Sequence, residues 1–387
     1  MDRMAGSPTI ITGIRNASDG NSRRQKFDMS ENIALLQPTH SPLVTLLNQI
    51  PKKPAIEAKF EWFEDEKFPA WDAINLAAGY AAGATSLVVD NGTYFEGGNL
   101  VKVPRTGEVF YVTSVSTNTL TAVRGVGSTS AAALVDNDPL MIMSDANEEG
   151  GTSRDPKITQ ITNDYNYTQI FKTSVGVTRT EKNSAYYGGS TLDYHRAKKA
   201  VMHNEKIERA FWWGERAIVT TGTHPKRYTG GVFEYLTTKV ASMSGMLTEW
   251  DFEKKLESAF EYGSDTKWAF CSGRAISVIN MWPRGRMEII PSDKSYGMVI
   301  NKYISPHGNL NIIRHPMFEG AVYGYYMAIL DMADECLQYR PLSNSDTTLE
   351  SNIQDNDYDG QKDQYLTETG LQFKQKDRHM VLTDIES

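Results

Sequence analysis

The stretch DYNYTQIFKTSVGVT, Asp164 to Thr178, alternates along its length, with Tyr165, Tyr167, Phe171, Val175 and Val177 in one set. A period of two marks a strand with one buried face. Upstream, AIEAKFEWF (Ala55 to Phe63) has the same rhythm: Ala58, Phe60 and Trp62 share one side, and Lys59 and Glu61 take the other. Between about Ala77 and Ser144 lie five short β-rich runs, ATSLVVD, NLVKV, EVFYVTSV, NTLTAV and PLMIM, separated by Gly, Asn, Asp or Thr. Regular short strands with turn residues between them predict a small all-β barrel or sandwich. The two flanking strands then read as a long two-stranded hairpin whose tip has been replaced by a β-domain.

Outward from the hairpin, Ser190 or Thr191 can cap a helix running from Leu192 to Glu215, with Ala200, Asn204, Ile207, Phe211 and Gly214 along one stripe. At ~1.5 Å per residue it would be ~36 Å long. His195 and His203 are too far apart on it for a metal pair and read as surface or interface residues. Phe211, Trp212 and Trp213 read as core or subunit interface. Residues 1 to about 30 are polar and weakly patterned, an extended arm, and a short helix is expected from Pro42 to Gln49. From about Met246 to Pro341, TEWDFEKKLESAFEYG carries a T-x-x-D cap and ends in Gly263, so it predicts a helix. KWAFC reads as a strand and GRAISVINMW as a helix. MVINKYIS and NLNIIRH form a hairpin about PHG, and YGYYMAILDM and ECLQYRPL are further strands. That is an α/β layer with a mixed sheet.

The chain has 387 residues and a formal charge of -8, which argues against tight nucleic-acid binding by the whole chain. Cys271 and Cys336 form no CxxC pair and read as small buried residues of a reduced compartment. No apolar run approaches the ~20 residues that span a bilayer, and the first residues lack a signal-peptide core, so a soluble cytoplasmic protein starting near Met1 is expected.

Catalytic patterns are absent: there is no GxxxxGK[ST], GxSxG or HExxH, and RGVGSTS lacks the third Gly of a dinucleotide loop. Adjacent acids such as Glu148/Glu149 read as solvated faces. DNDYDG, Asp355 to Gly360, begins like a calcium loop, with Asp355, Asp357 and Asp359 alternating. Its twelfth place is Leu366 rather than Glu, however, and no amphipathic helix enters it, so a solvated acidic turn is the simpler reading. No cofactor is implied. An arm, a long hairpin and a projecting β-domain bury little of their own surface, which suggests partners that cover them.

The order of parts resembles a tailed-phage major capsid (major head) protein of the Hong Kong 97 fold. LLQPTHSPLVTLL followed by AKFEWFEDE resembles the arm and first E-loop strand of that family. YTQIFKTSVGVTRT and YHRAKKAVMHNEKIERAFWWGE resemble its returning strand and spine helix. DNDYDGQKDQYLTETGLQFKQKDRHMVLTDI resembles its C-terminal segment, where the acidic turn leads into a strand. The resemblance implies an α+β, Hong Kong 97-like fold. Its parts would be an N-terminal arm (1–55), a first E-loop strand (56–76), a β-insertion (77–144) and a return strand (145–180). A peripheral domain with the spine helix (181–245), an axial domain (246–341) and C-terminal peripheral strands (342–387) would follow.

The implied function is self-assembly into pentamers and hexamers of an icosahedral or prolate shell. The shell would enclose double-stranded DNA without specific binding, form in the host cytoplasm and involve no membrane. Separate scaffolding, portal and minor capsid or decoration proteins would be its partners. Phe60, Trp62, Tyr165, Tyr167 and Phe171 are the subunit-interface candidates. Lys67 and Lys172 lie near the E-loop, but no Lys/Asn/Glu crosslinking motif accompanies them. The rival reading is a carbohydrate-binding or adhesion protein that uses the 77–144 module.

Overall fold

The computed structural model describes residues 41–152, 157–185, 190–282, 287–288, 294–295, 298–333, 335–343 and 345–386. The expected arm over residues 1–30 and the apolar segment after it lie outside these. By contact density the chain forms two units, one reaching Trp62 and resuming at Tyr165, the other running from Phe63 to Asp164.

Helix α1 (Pro42–Leu47) opens the larger unit, started by Pro42 and burying Leu43, Val44, Leu46 and Leu47. Strand β1 (Lys59–Glu64) follows and alternates as its sequence predicts. The smaller unit contains β2 (Trp71–Ala73), β3 (Ser86–Val88), β4 (Asn99–Lys102), β5 (Val109–Ser116), β6 (Thr119–Val123) and β7 (Pro139–Asp145). All five expected β-runs are strands, and they join β2 in the order β2-β7-β4-β5-β6-β3. An antiparallel bridge between Ile74 and Val89 closes the row on itself, making a barrel. Its core is Ile74, Leu87, Val89, Phe95, Val101, Phe110, Leu120 and their neighbours, all apolar. Beside it the Arg124 guanidinium grips the buried Glu108 carboxylate with two bonds of 2.6 Å, and the same carboxylate accepts from the Ala132 amide at 3.0 Å. The loop that superficially resembled a dinucleotide site is thereby strapped to the barrel. The sequence placed the insertion at 77–144; it is wider, because Trp71 to Ala73 pairs with β7.

The chain returns through β8 (Thr162–Tyr167), which pairs with β1. Here the expectation of one long hairpin fails. The Thr168 amide donates to the Ala58 carbonyl, and the next strand, β9 (Gln169–Thr178), has a different partner. The buried parity changes across this break: Asn166 and Thr168 face inward before it, and Phe171, Thr173, Val175 and Val177 after it. After α2 (Arg179–Asn183) comes α3 (Thr191–Trp213), whose N-cap Ser190 accepts from the Asp193 amide at 3.4 Å. Its buried stripe is Leu192, His203, Ile207, Glu208, Phe211 and Trp212, rotated from the expected one, and Asn204 is exposed.

Next are β10 (Ala217–Val219), β11 (Lys226–Tyr228), α4 (Val232–Tyr235) and β12 (Val240–Met246). Helix α5 (Glu249–Ala259) is capped by Thr248 as its sequence predicts, and β13 (Thr266–Cys271) and α6 (Gly273–Met281) follow. Then come β14 (Met287–Glu288), β15 (Lys294–Ser295), β16 (Met298–Ser305), β17 (Gly308–Arg314), α7 (Gly320–Tyr323), β18 (Met327–Leu330) and β19 (Leu337–Pro341). Strands β20 (Thr348–Glu350), β21 (Gly360–Phe373) and β22 (Met380–Glu386) close the chain.

Two sheets organise the larger unit. A mixed sheet runs β12-β22-β18-β13-β17-β16-β14, with β12/β22 and β13/β17 parallel. In the other, the long β21 pairs with β9 along ten residues, and with β19 and β20. Two expectations need correction. ECLQYRPL was assigned with the 246–341 layer, yet β19 belongs to the β21 sheet; the last strand was grouped with the C-terminal peripheral strands, yet β22 fills the mixed sheet between β12 and β18. An apolar run announces burial but not which strand it will lie beside.

Candidate assembly surface

Strand β1 points Phe60 and Trp62 inward, with ring centroids 6.0 Å apart and Trp62 5.9 Å from Tyr235. Phe171 is buried in the same core. These three, expected at a subunit interface, are therefore core residues of the single chain. Alternation signals a covered face, and here the chain itself supplies the cover. Tyr165 and Tyr167 are half-buried, their rings edge-to-face at 5.6 Å. Lys59 and Arg216 lie over the Tyr165 ring at 4.3 and 4.5 Å, and the Tyr165 carbonyl accepts from Arg216 and from the Tyr235 hydroxyl, each at 2.8 Å. The two tyrosines are thus held in place while part of each ring stays accessible.

The outward face of β1 is Lys59, Glu61 and Phe63, with Phe63 75% exposed. Ile158 and Ile161, just before β8, are 86% and 60% exposed. In the larger unit Ile56, Ile170, Trp250 and Met281 are also exposed. Exposed apolar side chains of this kind are candidates for contact with another molecule.

The acidic turn is used within the chain. Asp359 pairs with Arg179 at 3.0 Å and its carbonyl accepts from the Arg179 amide, while the Tyr358 amide closes a turn on the Asp355 carbonyl. Asp363, the ninth place of the supposed calcium loop, is buried against Arg196 at 2.7 Å and the Asn352 amide at 2.9 Å. Burial alone would raise its pKa, but the Asn352 amide and the Arg196 guanidinium outweigh it and hold the carboxyl below the usual range. Among the described residues no three His, Cys, Asp or Glu side chains converge as metal ligands. Asp355, Asp357 and Asp359 lie in an exposed turn, in which Asp359 pairs with Arg179. Lys67 and Lys172 are both exposed, and the Lys172 carbonyl accepts from Lys206. Cys271 and Cys336 are buried thiols, and Cys336 Sγ accepts from Arg378 at 3.3 Å.

Within the larger unit, several buried polar side chains tie distant elements together. Glu208, fully buried on α3, accepts from the amides of Leu43 (3.0 Å) and Val44 (2.8 Å), from Trp212 Nε1 (3.2 Å) and from His315 Nε2 (2.8 Å). It supplies the cap that Ser41 does not give α1. His315 Nδ1 accepts from the Met317 amide at 3.2 Å, so the proton sits on Nε2.

His203, expected at a surface, is buried in a directed chain. Lys206 donates to Thr173 (3.0 Å), Thr173 to His203 Nδ1 (3.0 Å), His203 Nε2 to Thr367 (2.8 Å), and Thr367 to Thr347 (2.8 Å). Burial, then the Lys206 charge, lowers its pKa to about 4. Asn166 uses both ends of its amide, donating to the carbonyls of Gly230 (3.0 Å) and Leu371 (2.7 Å) and accepting from the amides of Gly230 (2.7 Å) and Tyr167 (2.8 Å). Lys267 closes the end of α5, donating to the carbonyls of Ala259, Tyr262 and Arg378 at 2.6 to 2.7 Å, and burial lowers its pKa to about 8. A faint signal existed for two of these: Glu208 and Lys267 are charges inside otherwise apolar spacing, which demands a buried partner.

No helix among the described residues is long and apolar enough to cross a membrane. Set against known proteins, a family model described as SU10 major capsid protein matches residues 12–386. The major capsid protein of Pseudomonas phage PaMx41 is 28% identical over 257 residues, covering 63% of this chain and 62% of that protein, so the match spans less than two thirds of the relative's length. Among solved structures, the capsid of a native GTA particle shares the fold, with a TM-score of 0.52 at 10% identity over 96% of this chain and 98% of that one. The family match takes in the barrel, both sheets and the long helix, and the chain belongs to the SU10 major capsid protein family.

Proposed function

We propose that this chain is the shell-forming subunit of a tailed-phage head, assembling with copies of itself around double-stranded DNA. The observation that carries the reading is the family match over residues 12–386, which takes in both described units. In the terms of the Hong Kong 97 fold, β1 and β8 would be the base of the E-loop and the barrel its insertion. Helix α3 would be the spine, the β21 sheet part of the peripheral domain and the mixed sheet the axial domain. Tyr165 and Tyr167, rigidly held and partly open, remain the interface candidates, joined by Phe63, Ile158 and Ile161. Pentamers and hexamers, separate scaffolding, portal and minor capsid proteins, and assembly in the host cytoplasm complete the proposal.

Physical chemistry is consistent with a container. Many weak contacts repeated in a closed array give a stable shell. A net charge of -8 would not grip the phosphates of the enclosed DNA. An adhesin reading of the barrel has no comparable support, since the family match includes the barrel in the capsid subunit.

The test is expression of the full chain, alone and with the head genes of its phage, followed by sedimentation and negative-stain microscopy. Shells, tubes or uniform rings of five or six are expected. A chain that stays single in both settings would overturn the proposal.

A further inference from the structure

Arg314 ends β17 and Arg274 lies in the first turn of α6, and the two side chains line one hollow of about 530 Å³. A Cβ placed on Gly273 would sit 3.7 Å from Arg314 Nε, so that guanidinium lies near the start of α6. Arg274 stacks over the Tyr325 ring at 4.5 Å. Elsewhere in the chain arginines meet carboxylates: Arg105 with Asp138, Arg124 with Glu108, Arg196 with Asp363, Arg216 with Glu234. Among the described residues these two meet none. Glu319 lines the same hollow without forming an ion pair with either. The fold thus puts two exposed arginines on one hollow, where an entering anion can pair with both.

We propose that the Arg274/Arg314 hollow is a docking pocket for carboxylates of a second copy of this chain. The inference rests on the shell reading and names a contact within it. Charge balance selects the occupant: each copy carries a formal -8, so identical subunits repel at long range. Cohesion between them then favours contacts that match basic pockets with acidic surface. Exposed carboxylates without an ion pair among the described residues are present to fill it, Asp355, Asp357, Glu148 and Glu149 among them. Planar guanidinium forks suit carboxylates through paired hydrogen bonds, and the Tyr325 face orients one of them.

The experiment compares wild type with R274Q/R314Q in sedimentation-monitored assembly over a range of salt concentrations, with the melting temperature of the unassembled chain as a folding control. Both side chains are exposed, so the melting temperature should be unchanged. The critical concentration for assembly should rise about tenfold or more, and its dependence on salt should weaken. If wild type assembles and the variant does so at the same concentration with the same salt dependence, the pocket inference is wrong and the shell reading stands. If wild type itself never assembles, even with its phage's head genes, the shell reading falls and this inference with it. A fluorescent DNA duplex or inorganic phosphate that binds wild type through the two arginines, with assembly unaffected by the substitutions, would also overturn the proposal.

Discussion

Glu208 accepts four hydrogen bonds in a site closed to water, and two of them hold the start of a six-residue helix. Removing its carboxylate leaves buried donors with no acceptor, each costing about 1–3 kcal/mol. Glu208→Ala should therefore lower the stability of the free subunit by at least about 3 kcal/mol in urea denaturation. The amides of Leu43 and Val44 should lose hydrogen-exchange protection first. Unchanged protection there would show that α1 is held by its apolar contacts alone.

Histidines make a second residue-scale prediction. Unfolded histidine takes up a proton near pH 6.5, whereas His203 resists protonation to about 4 and the fully buried His379 to about 3, both chiefly through burial. Below 6.5 the unfolded chain therefore binds more protons than the folded one. Stability that is complete above 6.5 should fall toward pH 4 by about 1.4 kcal/mol per pH unit for each histidine. His203→Gln should remove roughly half of that slope in melts taken between pH 7 and 4. An unaltered slope would place the acid sensitivity elsewhere. None of this was legible beforehand, since His203 at helical spacing has the same pattern whether its face meets solvent or two threonines.

At the scale of elements, local signals announced the longer helices and the strands of the barrel, and missed the short elements between Ala217 and Met246. Ser190 and Thr248 cap α3 and α5 through side-chain oxygens, as their short polar residues before an apolar period predict, and Ser272, which the sequence did not single out, caps α6 in the same way. Partnership was less legible. The alternation from Tyr165 to Val177 looked continuous, yet β8 and β9 pair with different strands because Thr168 turns inward between them. Asn166 and Thr168 are polar, and their burial is explained by partners about 200 residues away, the Leu371 carbonyl for Asn166 and the Glu368 carboxylate for Thr168.

Gly370 on β21 shows how tight this junction is. A Cβ there would lie 2.7 Å from both Phe60 Cε1 and the Tyr167 carbonyl oxygen, and the backbone oxygen cannot easily retreat. Gly370→Ala should cost about 1–3 kcal/mol by overpacking, measured by denaturant midpoint. A neutral result would mean that β8 and β21 are less closely apposed than described.

For the whole molecule, the order of parts was legible because each carries its own periodicity, and the wider bounds of the barrel were not, because a three-residue strand such as β2 has almost no pattern. The barrel has a separate apolar core and closes its own strand row. A fragment spanning 63–164 should therefore fold alone, with dispersed amide resonances and a cooperative melt; collapsed resonances would show that it needs the rest of the chain.

Above the subunit stands the claim that this chain builds a closed shell. The most direct measurement is cryo-microscopy of particles from cells expressing the chain with its phage's head genes, at a resolution that traces β21 and α3. The account predicts a closed shell in which every ring of five and six is made of this chain. Shells whose traced subunit is another protein, with this chain absent from the wall, would contradict it.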